Sequence, residues 1–405
     1  MQKPYSTAHL TAGCCAGYLV MGLVFSMIGV GLEAFASQLS STATVVGSLF
    51  FLCSGGATFI MLFVVGPLID RFGQRPVLIA GSLLCAGSML ALARAESLPA
   101  ACAILFVIGA GGAGLNGGVN TLINHLFPQN PVRALNLSNI FFGLGAVSLP
   151  FAAGWLINSI GLKALLTISS VVCTFPAVLL AFGGFPAEVR VEMFRLRLAV
   201  RALGDPLVAL FGAIVFLYVG LEASLGIWSR PAVIELWKVQ TPLDQFILAG
   251  FWGALVVGRL LAGTLFRHIE GHRLVWQCSL GASLGLALFN LADSVYLAAF
   301  AIWFSGLCFA PIFPSTLGSV GQTFKNYTGT IFSLMIALGV LGGVTVSTLV
   351  GEIAGSAGLA LGFHLILGVC LALSVLQTIV SRRVQQRLHA GQKNDTAAIE
   401  QEGTL

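Results

Sequence analysis

Gly66-Pro-Leu-Ile-Asp-Arg-Phe-Gly-Gln-Arg-Pro76 places three charges and two glycines between two long apolar segments. Asp70, Arg71 and Arg75 are too polar for hydrocarbon, and Gly73 and Pro76 are turn-forming residues. The stretch therefore reads as a tight turn joining two membrane-spanning helices.

The rest of the chain agrees. Of 405 residues, 57% are hydrophobic and only 9% are charged, with a mean hydropathy of +0.95. Soluble domains carry about 25% charged residues. Apolar runs of about 20 residues, each long enough to cross about 30 Å of hydrocarbon, recur from end to end. Twelve are expected, over 12–35, 44–67, 76–93, 99–126, 136–158, 162–184, 205–228, 244–267, 274–291, 294–318, 328–351 and 358–381. The fold class that follows is an all-α membrane protein.

Basic residues set the orientation. With the amino terminus inside, sixteen of the twenty Lys and Arg fall in cytoplasmic segments, including Arg71, Arg75, Arg133, Arg259 and Arg273. Outer loops keep Arg94, Lys163, Arg230 and Lys238. This positive-inside bias puts both termini in the cytoplasm and explains the net charge of +5 without nucleic acid. The nine cysteines lie within expected spans and lack metal-like spacing, so no cofactor, metal site or disulfide framework is expected.

Val30-Gly-Leu-Glu-Ala34 returns letter for letter as Val219-Gly-Leu-Glu-Ala223, in the outer parts of the first and seventh spans. Duplication of a six-helix unit is the simplest reading, with parallel halves related by an axis along the membrane normal. The expected organisation is an N-terminal bundle over 1–184, a cytoplasmic linker over 185–204, a C-terminal bundle over 205–381 and a tail over 382–405. The linker, with Arg190, Arg195, Arg197 and Arg201, reads as an amphipathic surface helix.

An acid inside hydrocarbon is costly and usually faces a cavity. Glu222, roughly 25 Å along the seventh span, is the leading candidate to hold and release a coupling ion, with its repeat partner Glu33 second. Asn116, Asn120 and Asn124 recur every four residues and so form one polar stripe on the fourth span, which Asn136 and Asn139 continue. Amides both donate and accept, which suits a hydroxyl-rich ligand, although such side chains also bond neighbouring helices. Pro311 and Pro314 are expected to bend the tenth span. Trp228, Trp252 and Trp303 offer flat apolar faces to a sugar ring, or act as anchors.

Enzyme-like strings lack their context. Gly109-Ala-Gly-Gly-Ala-Gly114 sits inside an apolar span, where close helix packing explains it better than a dinucleotide site. Gly281-Ala-Ser-Leu-Gly285 also lies mid-span, and His268 and His272 have no third ligand. No enzymatic activity is expected.

The Gly66 stretch resembles the loop signature of the major facilitator superfamily, roughly Gly-x-Leu-x-Asp-Arg-Phe-Gly-Arg-Arg, with Gly66, Leu68, Asp70, Arg71, Phe72, Gly73 and Arg75 in register. Gly117-Gly-Val-Asn-Thr121, the segment from Arg133 to Gly145, Tyr218-Val-Gly-Leu-Glu222 and Ala310-Pro-Ile-Phe-Pro314 are similar to the fucose/glucose/galactose group of sugar symporters. That resemblance implies twelve spans in two pseudo-symmetric six-helix halves, and a central cavity for one sugar served by alternating access. It also implies coupling to protons or sodium, and a conformational gate made by Asp70, Arg71, Gly73 and Arg75. The group keeps acids on the first and fourth spans. Here the fourth offers asparagine, which shifts the coupling role to Glu222.

The resulting expectation is a monomeric, proton-coupled secondary transporter of a sugar or similar polyhydroxylated solute in a bacterial inner membrane. An exporter of amphipathic compounds and a non-transporting receptor with the same fold are the alternatives.

Overall fold

The computed structural model describes residues 5–61, 63–129, 131–182, 184–186, 201–265, 269–323 and 328–402. Helices account for nearly all of them. The N-terminal half contains α1 (Thr7–Gln38), α2 (Ala43–Met61), α3 (Val65–Phe72), α4 (Gln74–Leu92), α5 (Leu98–Leu126) and α6 (Pro131–Ala181). The C-terminal half contains α7 (Pro206–Trp237), α8 (Leu243–Thr264), α9 (Gly271–Asn290), α10 (Val295–Phe309), α11 (Ile312–Thr323), α12 (Thr328–Ala357) and α13 (Leu359–Glu402).

Among the described residues, ten segments are by themselves long and apolar enough to cross a membrane. One of these, Leu137–Ala181, has 45 residues, about 67 Å of helix, which is two crossings' worth. It breaks at Gly161, whose φ of 75° and ψ of 167° are open essentially only to glycine. The 20-residue α9 supplies another crossing of about 30 Å, made less apolar by its Ser, Gln and His residues. Among the described residues this makes twelve stretches of crossing length, consistent with the twelve spans expected. The tenth is interrupted between Phe309 and Ile312, at Pro311, as the prolines predict.

The halves repeat each other's packing. The contacts α2 with α5, α4 with α5 and α4 with α6 return as α8 with α10, α9 with α10 and α9 with α13. Between halves, α2 packs on α12 and α6 packs on α8. Glycines permit the tightest crossings: a Cβ on Gly22 would stand 2.8 Å from the Ala146 nitrogen, and one on Gly145 would meet the Leu19 carbonyl at 1.9 Å. The Gly109 to Gly114 run serves the same end, with Gly109 against Ser54 and Gly111 against Gly81. Large apolar side chains such as Val171, Phe175, Phe182 and Leu284 stay exposed on the outer surface, where lipid would cover them.

The opening stretch departs from its sequence reading. Residues 65–72 form α3, and the second span closes at Met61 instead of 67. Only Gly73 makes the turn, with φ 81° and ψ 168°, a conformation that lets α4 begin at once with Gln74. The linker helix expected over 185–204 falls mostly on residues 187–200, outside the described residues. The same holds for His268 and for the side chains of Asp70, Asn124, Arg133 and Asn136.

Candidate functional site

Polar groups inside the bundle gather in two layers separated by an aromatic one. The first layer lies at mid-depth. Tyr18 of α1, 2% exposed, donates its hydroxyl to Oδ1 of Asn120 on α5 at 2.7 Å. Asn120 in turn donates Nδ2 to the Asn116 carbonyl at 2.8 Å and to Oδ1 of Asn116. Both functional atoms of Asn120 are thus engaged by protein. The amide nitrogen of Asn116 is the end of this one-way chain of donors.

The C-terminal half contributes a second, charged set. Glu222 lies midway along α7, since the helix runs on to Trp237 and not to 228 as the sequence suggested; the outer-half placement is corrected accordingly. Its Oε1 stands 3.5 Å from Nη2 of Arg259 on α8, with side-chain exposures of 13% and 19%. Arg259 also reaches across the halves, Nη1 lying 3.5 Å from Oδ1 of Asn139 on α6. Arg259 therefore belongs to the interior of α8 and not to a cytoplasmic loop. Tyr218, one turn before Glu222, is buried and packs on Phe309 and Phe313. Gly145 rests on Leu19 and Gly22 on Phe142, which brings Tyr18 and Asn139 to similar depth.

Seven residues further along α1 and α8, about 10 Å, lies the aromatic layer. Phe25 touches Phe51, Phe142 and Trp252 at centroid distances of 6.2, 5.8 and 5.6 Å. Trp252 is 1% exposed and its Nε1 has no hydrogen-bond partner among the described residues. These rings join both halves.

The third layer follows after another eight residues on the same helices. Arg230 of α7 is paired with Glu33 of α1 and donates Nε to Oδ2 of Asp244 on α8 at 2.8 Å. Arg230 is 7% exposed, so it is an interior residue and not an outer-loop one.

The sequence candidates thus separate. Asn116, Asn120, Asn139 and Glu222 are assigned to the first layer, and Trp252 belongs to the aromatic one. Glu33 sits in the third layer. Trp228 lies near it, fully buried, donating Nε1 to the Ser347 carbonyl at 3.0 Å with its ring between Gly47 and Gly351. Trp303 is 40% exposed on the far side of α10, bonded to the Ile247 carbonyl at 2.9 Å over Gly250. Arg75 donates to the Ala181 carbonyl and lies 6.0 Å from the Phe185 ring, while Arg71 lies over Phe72. Both contacts stay within the N-terminal half, at the end of the bundle opposite Arg230. An apolar groove of about 890 Å³ between α1 and α6, lined by Thr11, Cys15, Leu19, Phe141 and Phe175, holds none of the candidates.

Tyr18, Arg259, Arg230 and Asp244 escaped the sequence reading. Arg259 and Arg230 could have been found by treating any charge inside a span as a functional candidate. Tyr18 had no such mark.

Residues 14–273, about two thirds of the chain, match the family model described as the Major Facilitator Superfamily. The chain belongs to that superfamily. It is 25% identical over 337 residues to a protein of Brucella abortus named glucose/galactose transporter, covering 77% of this chain and 79% of the relative. Among solved structures it superimposes on the nucleoside transporter NupG with a TM-score of 0.71 at 14% identity, covering 92% of this chain and 99% of that one. A variant of the E. coli fucose:proton symporter FucP gives a TM-score of 0.66 at 17% identity, covering 92% and 98%. These two structures speak for the fold. The protein is a multi-pass membrane transporter, and the superfamily is one of carriers, not enzymes.

Proposed function

We propose that this transporter moves a sugar or a similar polyhydroxylated solute by alternating access, coupled to protons through Glu222. The observation that carries the reading is the first layer itself. The amide of Asn139 on one half meets the guanidinium of Arg259, itself beside Glu222, on the other, and the Tyr18, Asn120 and Asn116 chain adds a phenol and two more amides to the first half. Hydroxyls of a sugar can accept from Asn116 and Arg259 and donate to Glu222, while a ring face can lie against Trp252.

The pairing of Glu222 with Arg259 supplies the coupling. A deprotonated Glu222 holds Arg259; a proton on Glu222 weakens that hold and lets Arg259 turn to Asn139 and to the solute. Proton and solute then bias the same pair of states, which is what coupling requires. The glucose/galactose name of the Brucella relative and the symporter fold support the sugar and proton reading. In this account both termini face the cytoplasm of a bacterial inner membrane, the protein acts as a monomer, and Asp70, Arg71, Gly73 and Arg75 gate the cytoplasmic end. The domain limits read from the sequence stand as part of the same proposal.

Titration of the purified protein with D-glucose, D-galactose, L-fucose, uridine and tetraphenylphosphonium tests the substrate class. Saturable tryptophan quenching by one sugar, lost in Asn116→Ala, is the expected result. Binding of tetraphenylphosphonium alone would favour an exporter of amphipathic compounds and overturn the sugar reading.

A further inference from the structure

The two halves meet through charge at the end that carries Arg230. Arg230 and Asp244 both belong to the C-terminal half; their side chains are 9% and 1% exposed, and Thr241 adds a hydrogen bond to Asp244 at 3.3 Å. Glu33 comes from the N-terminal half and its side chain is 34% exposed. One residue beyond Asp244, Gln245 donates Nε2 to the Val30 carbonyl at 3.0 Å, a second bond between the halves. One turn before Glu33, Gly29 lies so close to α7 that a Cβ there would stand 2.3 Å from the Gly226 carbonyl.

We propose that Arg230 and Asp244 are a permanent pair that positions the guanidinium as one side of a latch, with Glu33 as the partner that engages only while this end is closed. The asymmetry follows from solvation. A buried arginine stripped of every carboxylate is strongly destabilising, so a carrier that opens here in each cycle needs one that never leaves. Asp244 is that carboxylate. Glu33, a third exposed, regains hydration when it parts from Arg230. Close glycine contact at Gly29 and Gly226 brings the helices near enough for the latch to seat.

This also accounts for the divided fate of the repeated pentapeptide. Both acids found an arginine, but Glu222 pairs within its own half and Glu33 pairs across. The first is placed to sense solute and proton, the second to report closure.

The test places distance labels, introduced as noncanonical residues, at Val45 on α2 and Leu236 on α7, both exposed near this end. Measurements on purified protein in lipid nanodiscs need no solute, so the outcome is independent of the sugar reading. Glu33→Gln is expected to raise the ratio of separated to closed populations about tenfold, within the range of ordinary coupling, while leaving thermal stability near wild type. Asp244→Asn is expected to lower thermal stability markedly, and failure to obtain folded Asp244→Asn protein beside intact Glu33→Gln is the extreme of the same result. A wild-type distance distribution in Glu33→Gln would overturn the latch. Equal thermal loss in the two variants would overturn the division into permanent and exchangeable partners.

Discussion

Arg259 and Glu222 stand 3.5 Å apart between α8 and α7, halfway through the bundle. A charge-assisted hydrogen bond is shorter, about 2.7–2.9 Å. The pair is therefore loose, and Oε1 of Glu222 is left without a hydrogen bond among the described residues. A loose pair is easily exchanged for a proton, a solute hydroxyl or the amide of Asn139, which is the property a coupling site needs.

Replacing Glu222 by Gln keeps the shape and removes the titratable charge. Gradient-driven accumulation should fall to the passive equilibrium level, while exchange of labelled for unlabelled solute persists. Parallel uptake and counterflow assays in proteoliposomes separate the two; accumulation equal to wild type would remove Glu222 from the coupling step.

Tyr18→Phe deletes one hydroxyl at a buried site and leaves the ring. Without that donor Asn120 keeps only its bonds to Asn116, and the orientation of both amides loosens. A hydrogen bond of this kind is worth about 0.5–1.5 kcal/mol, so the apparent KM should rise several-fold with turnover little changed. Steady-state uptake measures both, and a drop confined to turnover would argue against a positioning role.

The crossing of α1 and α6 depends on having no side chain at Gly145, where a Cβ would meet the Leu19 carbonyl at 1.9 Å. Gly145→Leu should cost at least about 1–3 kcal/mol by forced displacement. Gly87→Ala on α4 is the control, because no atom lies within 4 Å of the added Cβ. Thermal unfolding in detergent should show a clear loss for the first and little change for the second.

At Gly73 the penalty comes from the backbone. With φ 81° and ψ 168° the position is essentially reserved for glycine, so Gly73→Ala should destabilise the junction of α3 and α4 by about 1–3 kcal/mol. Limited proteolysis at this turn should quicken, and unchanged cleavage would show that the turn is not needed as drawn.

Much of the architecture was legible in the chain because hydrocarbon imposes its own length scale: runs of about 20 apolar residues can do little but span. The repeated Val-Gly-Leu-Glu-Ala gave the duplication directly, and the four-residue spacing of Asn116 and Asn120 gave a face. What stayed hidden was partnership. Arg259 looks in sequence like a basic residue near a loop, since its partner Glu222 is 37 positions away. Arg230 likewise resembles a loop arginine until Asp244 and Glu33 are seen around it. Counting charges along a chain locates helix ends but cannot tell an arginine that reaches water from one turned inward onto a carboxylate. The division of α6 was legible too, since the expected spans 136–158 and 162–184 part where Gly161 breaks the helix; only its positive φ was not, because one glycine among many carries no mark of it.

The most direct measurement is uptake of labelled D-glucose, D-galactose and L-fucose into proteoliposomes, with an inward proton gradient imposed and then collapsed by a protonophore. One of these sugars is expected to accumulate above its equilibrium level only while the gradient stands, and Glu222→Gln to abolish the accumulation. Absence of any sugar movement in vesicles that do transport tetraphenylphosphonium would contradict the proposed function.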